Sequence, residues 1–324
     1  MTDAGQRPLD GVLVVDLTRH LPGPYASSEL VRLGARVVRL EAPGGDPLRL
    51  MAPGWHAWLD RGKESVVCDL NLDAAFGQAL CARADVILEG FRPGVAERLG
   101  VGPGDLPPEV VYCSIRGFAA ESEWFMRAGH DVNYLGLAGV LDPERPVLPP
   151  IPIADLAAGA LSAVARVLAG LVERARTGKG SVHRVSMTEE AHRFVAFRRG
   201  EEPAMPAMLT GGLACYDLYK CADELWLSVG ALEPVFFSRL CELLSRPELA
   251  PLQFDIGAQP ELRETLTRIF ASRPRAGWLD TLAAEDTCVA PVLSLAQAGA
   301  SEDLVDMSEL GHDTAAWRSR LGLG

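Results

Sequence analysis

The first 120 residues alternate between short apolar runs and amphipathic stretches. Gly11–Leu17 (GVLVVDL) is continuously apolar, which suits a strand buried on both faces. Pro22–Gly34 opens on proline and closes on glycine, the punctuation of a helix. Arg36–Glu41 reads as a second strand, ending in the turn Pro43-Gly44-Gly45-Asp46. Ser65–Asp69, Val86–Glu89 and Val110–Ile115 read as three more, with helices at about 73–83 and 93–99 between them. Strand and helix at this spacing predict a parallel, doubly wound sheet. A long helix follows: Asp155 opens it, at or next to its N-cap, Leu161, Val164, Val167, Leu168 and Leu171 form its apolar stripe, and Gly178 stops it. Val182–Ser186 reads as a short strand.

Beyond residue 187 the pattern changes. Residues 187–209 lose periodicity, and a second unit begins near Thr210 with strands at Leu213–Tyr219 and Leu225–Val229. Helices at about 233–244, 259–271 and 275–284 follow. The expected organisation is an α/β, Rossmann-like large domain over 1–186, a linker over 187–209 and a small α+β domain over 210–298. Residues 299–324 are expected to return to the large domain, with one short helix.

Composition narrows the function. Of 324 residues, 48% are apolar and 23% charged, which excludes intrinsic disorder. A net charge of -12 argues against a dedicated nucleic-acid protein, though not against a local basic pocket. Seven scattered cysteines with no CxxC and no matching histidine pair argue for buried thiols and against zinc. No apolar leader stretch or uninterrupted apolar span is present, so a soluble, cytoplasmic protein is expected. The turn after the first strand, Thr18-Arg19-His20-Leu21-Pro22-Gly23, lacks the GxGxxG that cradles a dinucleotide.

Three acid/base candidates stand out: His130 in Gly129-His130-Asp131-Val132-Asn133-Tyr134, Asp155, and Glu233 at the start of a helix. Each has a plain structural explanation, since aspartates cap helices and a first-turn glutamate complements the dipole. Arg39, Lys63, Arg92 and Arg116 recur at the ends of elements, where parallel sheets bind ligands, and guanidiniums there suit phosphate.

These segments together resemble the family III CoA-transferase superfamily and, within it, the α-methylacyl-CoA racemases. The resemblance rests on Gly11–Leu17, Pro22-Gly23-Pro24, Arg36–Pro43 with Gly44-Gly45-Asp46, Arg61-Gly62-Lys63, Ala84–Gly94, Tyr112-Cys113-Ser114-Ile115 and Gly129–Tyr134. It continues through Ala154-Asp155, Thr177-Gly178-Lys179-Gly180, Val229–Phe237 and Ala290-Pro291-Val292-Leu293-Ser294. It implies a racemase or epimerase that inverts C2 of a 2-methylacyl-CoA thioester through an enolate, with His130 and Asp155 as opposed bases. Glu233 would partner the histidine, Asp131 would support it, and Arg39, Lys63 and Arg92 would contact the CoA moiety. No metal or redox cofactor is implied; coenzyme A enters as part of the substrate. The alternatives are a CoA-transferase with Asp155 as anhydride-forming nucleophile, and a catalytically altered acyl-CoA-binding homologue.

The resemblance also implies an interlocked homodimer. Two departures from the family pattern stand beside it: Phe118–Phe125 and Leu156–Gly159 replace glycine-rich loops, and 187–210 and the tail are shorter than in relatives. Backbone N–H groups at the start of the long helix are expected to serve as enolate donors.

Overall fold

The computed structural model describes residues 7–144, 146–200, 207–282, 284–299 and 308–323. Two compact units divide the chain, 1–196 with 303–324, and 197–302.

The large unit is built on six parallel strands: β1 (Leu13–Asp16), β2 (Arg36–Glu41), β3 (Glu64–Val67), β4 (Val86–Glu89), β5 (Val111–Arg116) and β6 (Val182–Ser186), in the spatial order β3-β2-β1-β4-β5-β6. The expected Rossmann-like α/β architecture is therefore present. Apolar runs such as Val14-Val15 and Ile87-Leu88 are fully buried because helices cover both faces. Helix α1 (Pro22–Arg32) starts at its proline, and Gly23 is required there: a Cβ would lie 2.0 Å from Thr18 Oγ1. The order reverses between β1 and β4, so the turns after these strands diverge and leave a crevice at their carboxyl ends.

Helices α2 (Leu48–Met51) and α3 (Pro53–Asp60), between β2 and β3, are not foreshadowed by the hydrophobic pattern. Helices α4 (Ala74–Cys81) and α5 (Val95–Arg98) fall where expected. Helix α6 (Asp131–Leu137) follows β5. The long helix begins as a π-helical segment, Ala154–Leu161, and continues as α7 (Ser162–Thr177), ending at Gly178 with φ of 73°. By length and composition Ala154–Thr177 could cross a membrane. Ala158, Ala160, Ala163 and Val167 are instead buried in the core formed with β5 and α1.

Residues 187–195, expected to begin a linker, form helix α8 (Met187–Val195), capped by Ser186 Oγ accepting from Glu189 N at 3.3 Å. Met187 and Ala191 are buried in the large-unit core, which is why the segment is ordered there. Residues 201–206 of that expected linker lie outside the described residues, as do 300–307 of the expected return.

The small unit holds an antiparallel sheet, β7 (Tyr216–Lys220), β8 (Trp226–Gly230) and β9 (Val289–Pro291), with helices α9 (Pro234–Leu243), α10 (Gln259–Phe270) and α11 (Arg275–Leu282). Tyr219, Phe237, Phe270 and Trp278 form its core. Near the C-terminus, helix α12 (Thr314–Arg320) docks on β3 of the large unit: Asp313 N donates to Ser65 O at 2.9 Å, and Trp317 Nε1 to Glu64 Oε2 at 2.7 Å.

Candidate active site

A cavity of about 480 Å³ opens at the crevice between β1 and β4. Its walls come from the turn after β1 (Thr18–His20), the turn after β4 (Gly90–Pro93), the end of β5 (Ile115, Arg116) and the segment Phe125–His130. Asp155 of the π-helical segment and Met187 complete it. His130, Asp155 and Arg92, three residues expected to act on the substrate, thus share one cavity built wholly from the large unit.

His130 is the N-cap residue of α6, with extended backbone, and its N–H donates to Asn133 Oδ1 at 3.0 Å. That local bond fixes the turn and leaves the exposed imidazole to the cavity. Asp155 does not cap the long helix as expected; Ile153 occupies that position. Asp155 is instead held from outside: its N–H donates to Asp131 Oδ1 at 2.8 Å. Leu156 N donates to Pro152 O at 3.0 Å. The amides expected to wait for an enolate at this helix start are therefore already bonded. Burial, and then the negative charge of Asp131, push the Asp155 carboxyl up to about 7. It carries a proton about half the time near neutrality, unlike an ordinary aspartate.

Tyr134 closes the floor, its hydroxyl donating to Gly129 O at 2.5 Å, and its ring meets Phe118 edge-on at 5.2 Å. Four arginines line the walls: Arg19, Arg92, Arg116 and Arg127. Arg116 Nη2 lies 3.6 Å from Glu89 Oε1, and Arg127 stacks over Trp124 at 5.0 Å. Arg19 and Arg92 are exposed and have no ion-pair partner among the described residues. Burial pushes the Glu89 carboxyl up, and Phe91 N donates to its Oε2 at 2.7 Å.

Arg39 and Lys63, expected to contact CoA, are placed elsewhere. Arg39 is 1% exposed and bonded to Asp60 Oδ1 at 2.6 Å and Asp46 Oδ2 at 3.0 Å, with Asp16 Oδ2 at 3.7 Å. Burial alone would lower its pKa, but these carboxylates together raise it. Lys63 donates to Pro24 O at 2.7 Å and lies 3.6 Å from Asp60 Oδ1. Burial, with Arg39 nearby, pushes its ammonium down to about 8. Both cations stand at element ends, as the sequence indicated, but three acidic side chains draw them inward, away from the cavity. Glu233 precedes α9 in the small unit as its exposed N-cap residue, with no side-chain capping bond.

Sequence reasoning missed Arg19 and His20 as cavity residues. The available signal was position: both follow β1, at the carboxyl end of a central parallel strand. Among the described residues, no cluster of His, Cys, Asp and Glu has metal-binding geometry. Six of the seven cysteines are buried, and Cys288 is exposed.

An open parallel sheet with its site at the switch point defines an α/β protein whose cavity pairs an imidazole with a carboxyl titrating near neutrality. The sequence profile of CoA-transferase family III matches residues 9–314, and the chain belongs to that family. It is 36% identical over 306 residues to the human alpha-methylacyl-CoA racemase, covering 88% of this chain and 78% of that protein. It is also 30% identical over 321 residues to the mouse succinyl-CoA:glutarate CoA-transferase, covering 89% and 73%. Among solved structures, a CAIB/BAIF family protein from Brucella suis superposes with a TM-score of 0.80 at 25% identity, covering 98% of this chain and all of that one.

Proposed function

We propose that the chain is a racemase or epimerase that inverts C2 of a 2-methylacyl-CoA thioester. The observation that carries this reading is the convergence of His130 and Asp155 on one cavity. Inversion through an enolate needs one group to remove the α-proton and another, already protonated, to return one from the opposite face. A carboxyl titrating at about 7 is present in both forms near neutral pH, so its protonated form supplies that second proton and its ionised form is the base in the reverse direction. Arg92 and Arg19, both in the cavity wall, meet the phosphates of CoA. Coenzyme A is part of the substrate, and the reaction as written needs no further cofactor. A homodimer belongs to the same proposal.

A CoA-transferase is the second reading, because transferases match this chain over comparable lengths and share its need for a carboxylate. His130 favours the first, because an anhydride mechanism on Asp155 gives it no task. The test is incubation with a (2R)-2-methylacyl-CoA in D₂O, following deuterium at C2 with and without a free carboxylic acid acceptor. Deuterium is expected without acceptor, and His130→Ala should slow its entry about 10²- to 10⁴-fold. CoA exchange that requires the acceptor and leaves C2 unlabelled would overturn the racemase in favour of the transferase.

A further inference from the structure

Four polar atoms at the ends of β4 and β5 are buried without a hydrogen-bond partner among the described residues: Glu89 Oε1, Tyr112 Oη, Ser114 Oγ and Arg116 Nε. Ser114 is paired in register with Glu89 across the two strands. Tyr112 and Arg116 stand two residues before and after Ser114, so all four side chains leave the same face of the sheet. Glu89, Ser114 and Tyr112 are 0%, 2% and 3% exposed. The neighbouring groups do not complete the set. Glu89 Oε2 accepts from Phe91 N at 2.7 Å, but Oε1 lies 3.6 Å from Arg116 Nη2, too far for a hydrogen bond. Glu97 of α5 adds only negative charge toward Glu89 and Tyr112. Burial, and then Glu89 and Glu97, push the Tyr112 phenol up, so it remains a neutral donor and acceptor.

Buried polar groups pair with protein or with ordered water, and each one left alone costs its full desolvation. A buried water needs two to four polar partners, and this patch offers donors and acceptors on adjacent side chains. The Arg116 charge disfavours a metal ion in the same place. We infer that the ends of β4 and β5 enclose a site for ordered water, and that through this water Glu89 is a positioning residue for Arg116. The two hydroxyls donate and accept, Arg116 Nε donates, and Glu89 Oε1 accepts when ionised, so water between them completes bonds that the 3.6 Å spacing leaves open. The site stands directly behind the active-site cavity. Phe91 and Arg116, the two residues whose N–H groups Glu89 faces, both line that cavity, as does Phe125, whose ring lies 5.6 Å from the Arg116 guanidinium. The water site goes beyond the racemase reading and does not depend on it; CoA enters only as a probe of the cavity.

A crystal structure of the parent chain that resolves ordered water should show density about 2.7–3.2 Å from Ser114 Oγ and from Glu89 Oε1. Thermal unfolding tests the same site by sign. Removing an unpartnered hydroxyl relieves a cost and raises Tm, whereas removing one bonded to water lowers it. Tyr112→Phe and Ser114→Ala are each expected to lower Tm by about 2–4 °C. The positioning role is read with CoA by calorimetry. Glu89→Leu and Glu89→Gln remove the same charge, but only glutamine still bonds to water. CoA should bind about three- to tenfold more weakly to Glu89→Leu than to Glu89→Gln, and the gap should close in an Arg116→Met background. No density beside these atoms, or a Tm unchanged or raised in both hydroxyl variants, would overturn the water site. Equal CoA affinities for the two Glu89 variants, or a gap that persists without Arg116, would overturn the positioning role. If the parent binds no CoA, the racemase reading fails, yet the density and the Tm shifts still decide the water site, and the Glu89 gap is then read in Tm with and without Arg116.

Discussion

Asp155→Asn should remove catalysis and stabilise the fold at alkaline pH. The carboxyl titrates at about 7 in the folded chain against an ordinary value of 3.8, because burial and Asp131 penalise its ionised form. Below 3.8 it is protonated in folded and unfolded chains alike, so it takes nothing from stability. As pH rises the unfolded chain ionises first, and stability falls until the folded carboxyl also ionises at about 7. At about 1.36 kcal/mol per unit, the part of that loss between pH 5 and 7 is about 3 kcal/mol, or about 2 once residual solvent access is allowed for. An asparagine of nearly the same shape does not titrate, so the variant should gain on the parent by that amount between pH 5 and pH 8. Thermal unfolding at the two pH values measures it, and for a unit of this size the relative shift in Tm is about 4–8 °C. A gap between variant and parent that is equal at pH 5 and pH 8 would refute the reasoning, because it would mean Asp155 titrates alike in both states.

Asp131→Asn keeps an oxygen to accept from Asp155 N but removes the neighbouring negative charge. The alkaline limb of the direction that needs a protonated Asp155 should therefore move to lower pH in initial-rate profiles, and a limb that stays or rises would contradict the assigned cause. Arg39→Met leaves Asp16, Asp46 and Asp60 buried without their common cation. It should cost about 3–5 kcal/mol in denaturant unfolding, a fold-level loss rather than a selective loss of CoA affinity. Arg92→Ala should weaken acyl-CoA binding about tenfold with little change in Tm, because this exposed guanidinium has no ion-pair partner among the described residues, and the difference should shrink in high salt.

The central strands β1, β2, β4 and β5 were legible because they are buried on both faces and read as largely apolar runs, and they fall within a residue or two of expectation. Helices α2 and α3 were not, because Leu48–Asp60 mixes exposed Leu50, Met51 and Trp55 with buried Arg49, His56 and Asp60, inverting the usual pattern. Helix α6 carries only Tyr134 and Leu135 inward, too short a repeat to show periodicity. At the site, His130, Asp155 and Arg92 could be named from sequence because their segments have a family form. Arg39 and Lys63 could be named but not placed. An arginine at a strand end looks the same in sequence whether it faces a ligand or three carboxylates contributed by β1, the turn after β2 and the end of α3.

That buried cluster also accounts for the unusual turn after β1. A chain that must take a left-handed φ at this point ordinarily uses glycine, and this one uses His20. Asp46 Oδ2 holds the His20 amide and Arg39 Nη2 together, Arg39 is bonded to Asp60, and Leu48 N donates to the other Asp46 oxygen at 2.9 Å. The conformational constraint that glycine would relieve is thus met by a charge network anchored in the sheet. In return the cavity acquires a side chain next to its base, at a position where glycine could offer none. The inward arginine and the cavity histidine are two ends of one arrangement, joined through Asp46.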